Sequence, residues 1–210
     1  MQTRPILWSF RRCPYAMRAR LAIHASGVPV ELREILLRDK PAAFLATSAK
    51  GTVPVVDTGS KVIAESRDIM LWALGQSDPE GWLDMPLIGH DLIDHCDGPF
   101  KTALDHTKYA VRYPDLDPVA ERAKAMHFLR DLDARLNHAP FLLGPLRRMS
   151  DMAILPFVRQ FAQIDRAWFD AQGLEGVARW LGDFTRSARF AAVMQKYPPW
   201  QSGQDQVLFP

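Results

Sequence analysis

A change of pattern near residue 75 constrains the fold of this chain more than any other feature. Before it, short apolar runs of strand length alternate with helical patterns, and after it only helical patterns follow. The strand-like runs cover residues 5–9, 30–35, 53–56 and 61–63. An α/β layer unit followed by an all-helical unit is therefore expected.

Within the first part, the order of elements reads β-α-β-α-β-β-α. Residues 14–26 predict a helix that Gly27 ends, and residues 41–46 and 66–74 predict two shorter helices. The turn at residues 57–60, Asp-Thr-Gly-Ser, predicts a hairpin between the last two strands. These elements describe a small α/β layer fold.

The segment at residues 75–81 is polar and rich in helix-breaking residues, which makes it the best candidate for a linker. It predicts two domains, residues 1–76 and residues 77–210. The second domain is predicted to contain helices at residues 86–109, 118–136, 151–164 and 175–196, the last of them broken in two. Pro99 predicts a kink or an early stop in the first of these helices.

Composition excludes several classes of protein. The 210 residues are 48% hydrophobic, which is enough for a sizeable core. The formal net charge is only +2 and both signs are interspersed, so no nucleic-acid partner is expected. Two cysteines do not make a disulfide framework and indicate a reducing compartment. No apolar run approaches membrane-spanning length, so a cytoplasmic protein without a membrane partner is predicted.

Cys13 follows a predicted strand and precedes Pro14, which suits the first position of a helix. A sulfur at this place lies beside the unpaired N–H groups of a helix N-terminus, which stabilise a thiolate. The alternative is a buried cysteine that acts as a small hydrophobic side chain. The position therefore indicates a reactive nucleophile if other motifs agree.

Pro54 interrupts an otherwise regular strand pattern, Val53-Pro54-Val55-Val56. Proline removes a hydrogen-bond donor from the sheet, so a routine central strand is not expected. A cis peptide bond before Pro54 would turn the Val53 backbone outward as a free hydrogen-bonding edge. A trans proline on an edge strand is the alternative.

Glu65 and Ser66 stand where a helix is predicted to begin. Ser66 is a natural N-cap, and its hydroxyl together with helix N–H groups would bind a carboxylate. Glu65 could pair with an ammonium group. A ligand that carries both groups, such as the α-amino-acid end of a γ-glutamyl compound, would suit this pair.

Taken together, the motifs resemble the glutathione transferase superfamily, in its cysteine-bearing branch near the omega class and the glutaredoxin-2-like proteins. The resemblance covers essentially the whole chain. It rests on Cys13-Pro14-Tyr15 with Arg18, Arg38-Asp39-Lys40-Pro41, Gly51-Thr52-Val53-Pro54-Val55, Glu65-Ser66, and Ser150-Asp151 with the six residues that follow. It implies a thioredoxin-like N-terminal domain that holds glutathione and an all-α C-terminal domain that meets the second substrate.

The resemblance also implies roles for single residues. Cys13 matches the catalytic thiol, and Val53, before the family's cis-proline Pro54, would bond the cysteinyl part of glutathione. Glu65 and Ser66 match the residues that hold the γ-glutamyl end, and Lys40 one that reaches the glycine carboxylate. Walls for a second-substrate pocket are predicted from the aromatic residues Phe10, Tyr15, Tyr109, Tyr113 and Trp168. A homodimer is implied as well.

The chemistry expected of such a protein follows from the thiol. Because position 16 is alanine, no second cysteine can resolve an intermediate in a Cys-x-x-Cys motif, and a monothiol cycle through a mixed disulfide with glutathione is predicted. Conjugation of glutathione to small electrophiles is a second hypothesis. A non-catalytic protein that binds a ligand or another protein is a third.

Two further features carry no catalytic role in this interpretation. Residues 90–97 contain His, Asp and Cys, but a helix gathers too few of them for a metal site, so none is predicted. Arg148 stands where the family places the Ser or Thr of a capping box, three residues before Asp151. The side-chain half of that box is therefore expected to be missing, and the sequence leaves open whether Ser150 is a shifted cap.

Overall fold

The computed structural model describes residues 4–210, and its internal contacts divide the chain into two compact units. The first unit contains the residues up to Glu80 together with Ser187–Pro210, and the second contains Gly81–Arg186. The first is an α/β unit and the second is helical, so the predicted fold class is confirmed.

The first unit is built on a mixed sheet of five strands. They are β1 (Ile6–Ser9), β2 (Val30–Glu34), β3 (Val55–Asp57), β4 (Val62–Ile63) and β5 (Leu208–Phe209), arranged in the order β4-β3-β1-β2-β5. β1 and β2 are parallel, and the other neighbours are antiparallel. The hairpin predicted at residues 57–60 joins β3 to β4, with Gly59 at a φ of 83°.

The helices of this unit are α1 (Pro14–Ser26), α2 (Ala42–Thr47), α3 (Ser66–Gln76) and α10 (Ala188–Val193). α1 begins with a proline and ends at Gly27, whose φ of 69° lies in the left-handed region that favours glycine. Trp8, Phe44 and Val55 form a buried cluster in the core. These elements confirm the predicted strand and helix order of residues 5–76.

The second unit contains the helices α4 (Leu87–His95), α5 (Lys101–Lys108), α6 (Pro118–Leu136), α7 (Met149–Ala162), α8 (Arg166–Asp170) and α9 (Glu175–Arg186). The proline predicted to kink or stop a helix is accommodated differently. The segment Cys96–Phe100, with Pro99 inside it, forms a π-helical turn that runs from α4 into α5. In an α-helix the proline ring would clash with the carbonyl four residues earlier. The wider π-helical turn shifts that carbonyl away from the ring, so the chain remains helical.

Asp151 organises the start of α7 without the family's usual partner. Its carboxylate accepts hydrogen bonds from the backbone N–H of Arg148 at 3.0 Å and of Leu142 at 3.0 Å, and from the Trp180 indole at 3.0 Å. An arginine side chain has no acceptor, so the reciprocal cap bond is missing, as expected. The Arg148 guanidinium instead donates to the carbonyl of Gly81. Ser150 is not a shifted cap, because its buried hydroxyl has no hydrogen-bond partner among the described residues.

The C-terminal segment differs from what the pattern predicts. The residues beyond position 79 predict helices only, but β5 pairs with β2 and the Trp200 N–H donates to the Glu34 carbonyl at 2.7 Å. A strand of two residues is too short to show a period, which is why the sequence did not reveal it. The contacts thus group Ser187–Pro210 with the sheet, whereas the predicted boundary placed all of residues 77–210 in the helical domain.

No helix within residues 4–210 combines the length and the apolar character needed to cross a bilayer.

Acidification below pH 6.5 is expected to destabilise the first unit through His24, in the last turn of α1. Burial and the nearby Arg189 lower the pKa of His24 from its ordinary 6.5, against a smaller opposing effect of Glu80. The unfolded chain therefore takes up this proton first. The contribution of His24 to the free energy of unfolding is complete above pH 6.5 and is lost as the pH drops towards the lower pKa of the folded state. Urea titrations on either side of pH 6.5 measure this loss.

His24→Gln, which cannot titrate, is the matched control for that experiment. Its free energy of unfolding should depend less steeply on pH between 6.5 and the acid end of the titration. Equal pH dependence in the wild type and His24→Gln would contradict the prediction.

Candidate active site

A cavity of about 500 Å³ opens on the first unit beside the N-terminal ends of α1 and α3. Most of its lining comes from the motifs that the sequence singled out. The lining residues are Cys13, Tyr15, Leu37, Lys40, Lys50, Gly51, Thr52, Val53, Pro54, Ala64, Glu65 and Ser66. A volume of this size fits a ligand of a few dozen atoms.

Cys13 occupies the N-cap position of α1. Its φ and ψ, −75° and 124°, are extended, so the helix begins at the next residue and the side chain stands at the helix N-terminus. The thiol is half-buried and lies 3.8 Å from the carbonyl oxygen of Val53, to which it donates. Neither cysteine of the chain is in a disulfide. A sulfur in this place can react with a ligand in the cavity while helix N–H groups stabilise its thiolate.

The backbone before Cys13 is held by a buried ion pair. The Glu34 carboxylate accepts a hydrogen bond from the Arg11 backbone N–H at 2.5 Å and from the Arg20 guanidinium at 2.5 Å. Burial raises the pKa of Glu34, and Arg20 counteracts that rise. Arg20 also donates to Ser9 at 2.8 Å. Because these bonds join the end of β1 to α1 and β2, they position the loop that carries Cys13.

The peptide bond between Val53 and Pro54 is cis. The sequence left the cis and trans forms open, and the structure decides between them. Val53 lies within hydrogen-bond reach of Cys13, and both Val53 and Pro54 line the cavity. The backbone of Val53 therefore lies next to the sulfur, where an extended peptide could bond it.

Ser66 does not cap α3 as predicted. The N-cap position belongs to Glu65, whose backbone is extended with φ −97° and ψ 131°, and Ser66 is the first residue of the helix. The Ser66 hydroxyl is buried and accepts a hydrogen bond from Nε of Arg18 at 2.9 Å. Because that bond uses an acceptor lone pair, the hydroxyl proton can be donated to another group.

Glu65 forms an ion pair that the sequence did not reveal. Nζ of Lys50 lies 2.6 Å from Oε1 of Glu65, and both side chains are mostly exposed. The hydrogen bond to Glu65, more than their charge attraction, raises the pKa of Lys50. Lys40 also lines the cavity, and its Nζ lies 3.7 Å from the position that a Cβ on Gly51 would occupy. Two ammonium groups and one carboxylate therefore face this cavity, which favours an anionic ligand that also carries a cation.

The residues predicted as walls for a second substrate belong to both units, and Tyr15 lines the cavity described above. Phe10 packs against the core cluster of the first unit, and Arg12 stacks on its ring at 5.3 Å. Tyr109, Tyr113 and Trp168 belong to the second unit. There Arg112 lies over Tyr109 at 4.5 Å, Tyr113 contacts His106 at 4.4 Å, and Arg122 lies over Trp168 at 4.5 Å. Their role towards a substrate stays a prediction.

Arg18 and Lys50 are site residues to which the sequence assigned no role in the cavity. Arg18 appears in the sequence only as part of the Cys13 motif, and in the structure its Nε donates to the Ser66 hydroxyl. Lys50 directly precedes Gly51, and that neighbouring motif was the one signal that could have identified it. Within residues 4–210, no group of three or more His, Cys, Asp or Glu side chains is arranged to hold a metal ion.

Comparison with known proteins assigns the N-terminal part of the chain to a family. Residues 7–81 match the family described as "Glutathione S-transferase, N-terminal domain". A curated relative, glutathione S-transferase DHAR3 of Arabidopsis thaliana, is 27% identical in a 166-residue alignment that covers 72% of this chain and 64% of the relative. The chain thus spans slightly less than two thirds of the length of this plant protein.

Solved structures show the same fold over nearly the whole chain. Glutathione transferase Omega 3C from Trametes versicolor has a TM-score of 0.77 at 16% identity, covering 96% of this chain and 88% of its own. A glutathione transferase family member from Pseudomonas fluorescens with two glutathione molecules bound also has a TM-score of 0.77 at 16% identity, covering 91% and 92%. Residues 7–81 therefore belong to the glutathione S-transferase N-terminal domain family, and the chain has the fold of the glutathione transferases.

Proposed function

We propose that this protein is a glutathione-dependent thiol transferase in which Cys13 is the nucleophile. The observation that carries the proposal is the position of Cys13 at the N-terminus of α1, 3.8 Å from the Val53 carbonyl and in one cavity with Lys40, Glu65 and Ser66. Family membership supports glutathione as the cosubstrate. The curated relative named for glutathione S-transferase activity and the related structure with bound glutathione support the same ligand.

Glutathione fits the groups that line the cavity. Its γ-glutamyl ammonium would pair with Glu65, and the neighbouring α-carboxylate would accept a hydrogen bond from the Ser66 hydroxyl, whose oxygen is already bonded to Arg18. The Val53 backbone would bond the cysteinyl residue, and Lys40 would pair with the glycine carboxylate. This order places the glutathione sulfur beside Cys13.

The reaction proceeds through two thiol–disulfide exchanges. The Cys13 thiolate attacks the glutathionyl sulfur of a mixed disulfide, so that a bond forms between Cys13 and glutathione while the substrate leaves as a thiolate. A second glutathione thiolate then attacks the same glutathionyl sulfur and releases Cys13, forming oxidised glutathione. Each step forms one S–S bond and breaks one, and the second glutathione supplies the two electrons that reduce the substrate.

The local sequence favours release by a second glutathione over release by the protein itself. Position 16, which would hold the resolving cysteine of a Cys-x-x-Cys motif, is a buried alanine on α1. The other cysteine, Cys96, is fully buried in the second unit. An intramolecular disulfide with Cys13 is thus not part of the proposed cycle.

The test is glutathione-dependent reduction of hydroxyethyl disulfide by the wild-type protein, coupled to glutathione reductase. Turnover together with one glutathione bound per chain after oxidation, seen by intact mass spectrometry and removed by dithiothreitol, supports the thiol transferase. Absence of turnover accompanied by conjugation of an aryl halide would move the function to a conjugating transferase. Failure to be retained on immobilised glutathione would favour a non-catalytic role.

We also propose that the two domains bind different substrates. The first unit would bind glutathione and the helical unit would contact the second substrate.

We further propose that the protein is a homodimer. Each unit exposes large apolar side chains that a partner subunit could cover, with Leu87 at 82% and Val62 at 50% exposure. Light scattering coupled to gel filtration measures the mass in solution, and a monomer at micromolar concentration would reject the dimer.

A further inference from the structure

We propose that Lys50 is an internal competitor of the ligand, whose ammonium group occupies Glu65 until the ammonium of a γ-glutamyl compound displaces it. This makes Lys50 a specificity-determining residue, because only a ligand with its own cation can take its place. The inference rests on the proposed function, which assigns Glu65 to the γ-glutamyl end of glutathione.

The first support is the geometry of the pair. Nζ of Lys50 lies 2.6 Å from Oε1 of Glu65, a distance typical of a charge-assisted hydrogen bond. Both residues line the cavity, and Glu65 is the only carboxylate among its lining residues within the described chain. The group expected to bind the ligand's cation is therefore already bonded to a cation of the protein.

The second support is the ease with which this pair can open. The Lys50 and Glu65 side chains are 67% and 61% exposed, so water replaces their mutual bond at little cost. The Glu65 bond raises the pKa of Lys50, so the lysine stays cationic at neutral pH and the exchange involves one ammonium for another. A buried pair would resist such an exchange, because it would leave a charge without a partner.

The third support is where the fold anchors the two residues. Lys50 precedes Gly51, whose φ of +60° turns the chain towards Val53 and the cis bond. Glu65 is fixed at the N-cap position of α3, one residue before Ser66. The pair therefore lines the same cavity as Ser66, where the α-amino-acid end of the ligand would be placed.

Competition of this kind has a defined effect on affinity. The apparent Kd for the ligand is the intrinsic Kd divided by the fraction of molecules in which Glu65 is available. For an exposed pair this factor is about two to five. A ligand without the ammonium has no group to replace Lys50, so Lys50 stays bonded to Glu65. There the lysine neutralises the Glu65 charge, which would otherwise repel the ligand's carboxylate.

The experiment compares two non-reactive ligands by isothermal titration calorimetry. One is S-methylglutathione, and the other is S-methyl glutaryl-cysteinylglycine, in which hydrogen replaces the α-amino group. In Lys50→Met the Kd for S-methylglutathione is expected to fall about two- to fivefold, and the Kd for the deaminated compound to rise. Lys61→Met, which removes another exposed lysine of the same unit from outside this cavity, should change neither value.

Glu65→Gln provides the second arm of the test. It should weaken the binding of S-methylglutathione, and adding Lys50→Met to it should give no gain in affinity, because the competitor then has no carboxylate to occupy. A higher Kd for S-methylglutathione in Lys50→Met would overturn the inference and make Lys50 a direct ligand contact. Unchanged values for both ligands would overturn it too. If the wild type binds neither ligand, the proposed function itself fails.

Discussion

Replacing Cys13 by alanine is expected to lower glutathione-dependent reduction of hydroxyethyl disulfide by about a thousandfold or more. The proposed cycle passes through a covalent bond to this sulfur, and the other cysteine of the chain is buried in the second unit, so no second thiol can take over its role. The loss should appear in kcat, because the groups proposed to bind glutathione are unchanged. Steady-state rates at saturating glutathione measure it.

Cys13→Ser is the matched control for that variant. The hydroxyl keeps the size and the helix N-cap position of the side chain but does not form a disulfide. Binding of S-methylglutathione should therefore be retained in both variants while disulfide reduction is lost in both. Retention of more than about a tenth of the wild-type rate in Cys13→Ala would show that the nucleophile lies elsewhere.

The largest expected effect on stability comes from Asp151→Ala. This side chain is fully buried and accepts hydrogen bonds from the Arg148 and Leu142 backbone and from the Trp180 indole. Alanine leaves all three donors without an acceptor, and each buried unsatisfied group costs about 1–3 kcal/mol. We expect the free energy of unfolding of the helical unit to fall by about 3–5 kcal/mol in urea titrations followed by circular dichroism.

Two graded variants separate the hydrogen bonds of Asp151 from its packing. Asp151→Asn keeps the volume of the side chain and one acceptor oxygen. Its free energy of unfolding should therefore lie between the values for the wild type and for Asp151→Ala. Trp180→Phe removes the indole donor together with part of a buried ring and should cost about 1–3 kcal/mol. A loss below about 1 kcal/mol in Asp151→Ala would show that the start of α7 does not depend on this carboxylate.

Much of the fold was predictable because its signals are local. Short apolar runs predicted the strands. Pro14 marked the start of α1 and Gly27 marked its end, and α1 begins and ends as expected. Pro99 was recognised as a disturbance, but its resolution as a π-helical turn depends on how α4 and α5 pack. β5 has two residues and no local signal, so only its pairing with β2 reveals it.

The site was predictable to the extent that motifs mark it. Cys13, Lys40, Val53 and Glu65 come from separate segments, and the cavity brings them together. Their assignment to glutathione came from the resemblance and not from spacing. What the sequence could not provide is the pairing of side chains across segments. Lys50 with Glu65, and Arg18 with Ser66, depend on distances that exist only in the folded chain.

The pairing of β5 with β2 has a consequence for the order in which this protein can be made. A ribosome synthesises β1 to β4 first, yet the strand that covers the edge of β2 consists of Leu208 and Phe209, which follow the whole helical unit in the sequence. The nascent first unit therefore keeps an open sheet edge until β5 has been synthesised, and open edges favour pairing with other chains. A fragment that stops after α3, at residue 76, would retain that edge permanently, so it should aggregate where the chain that includes β5 does not.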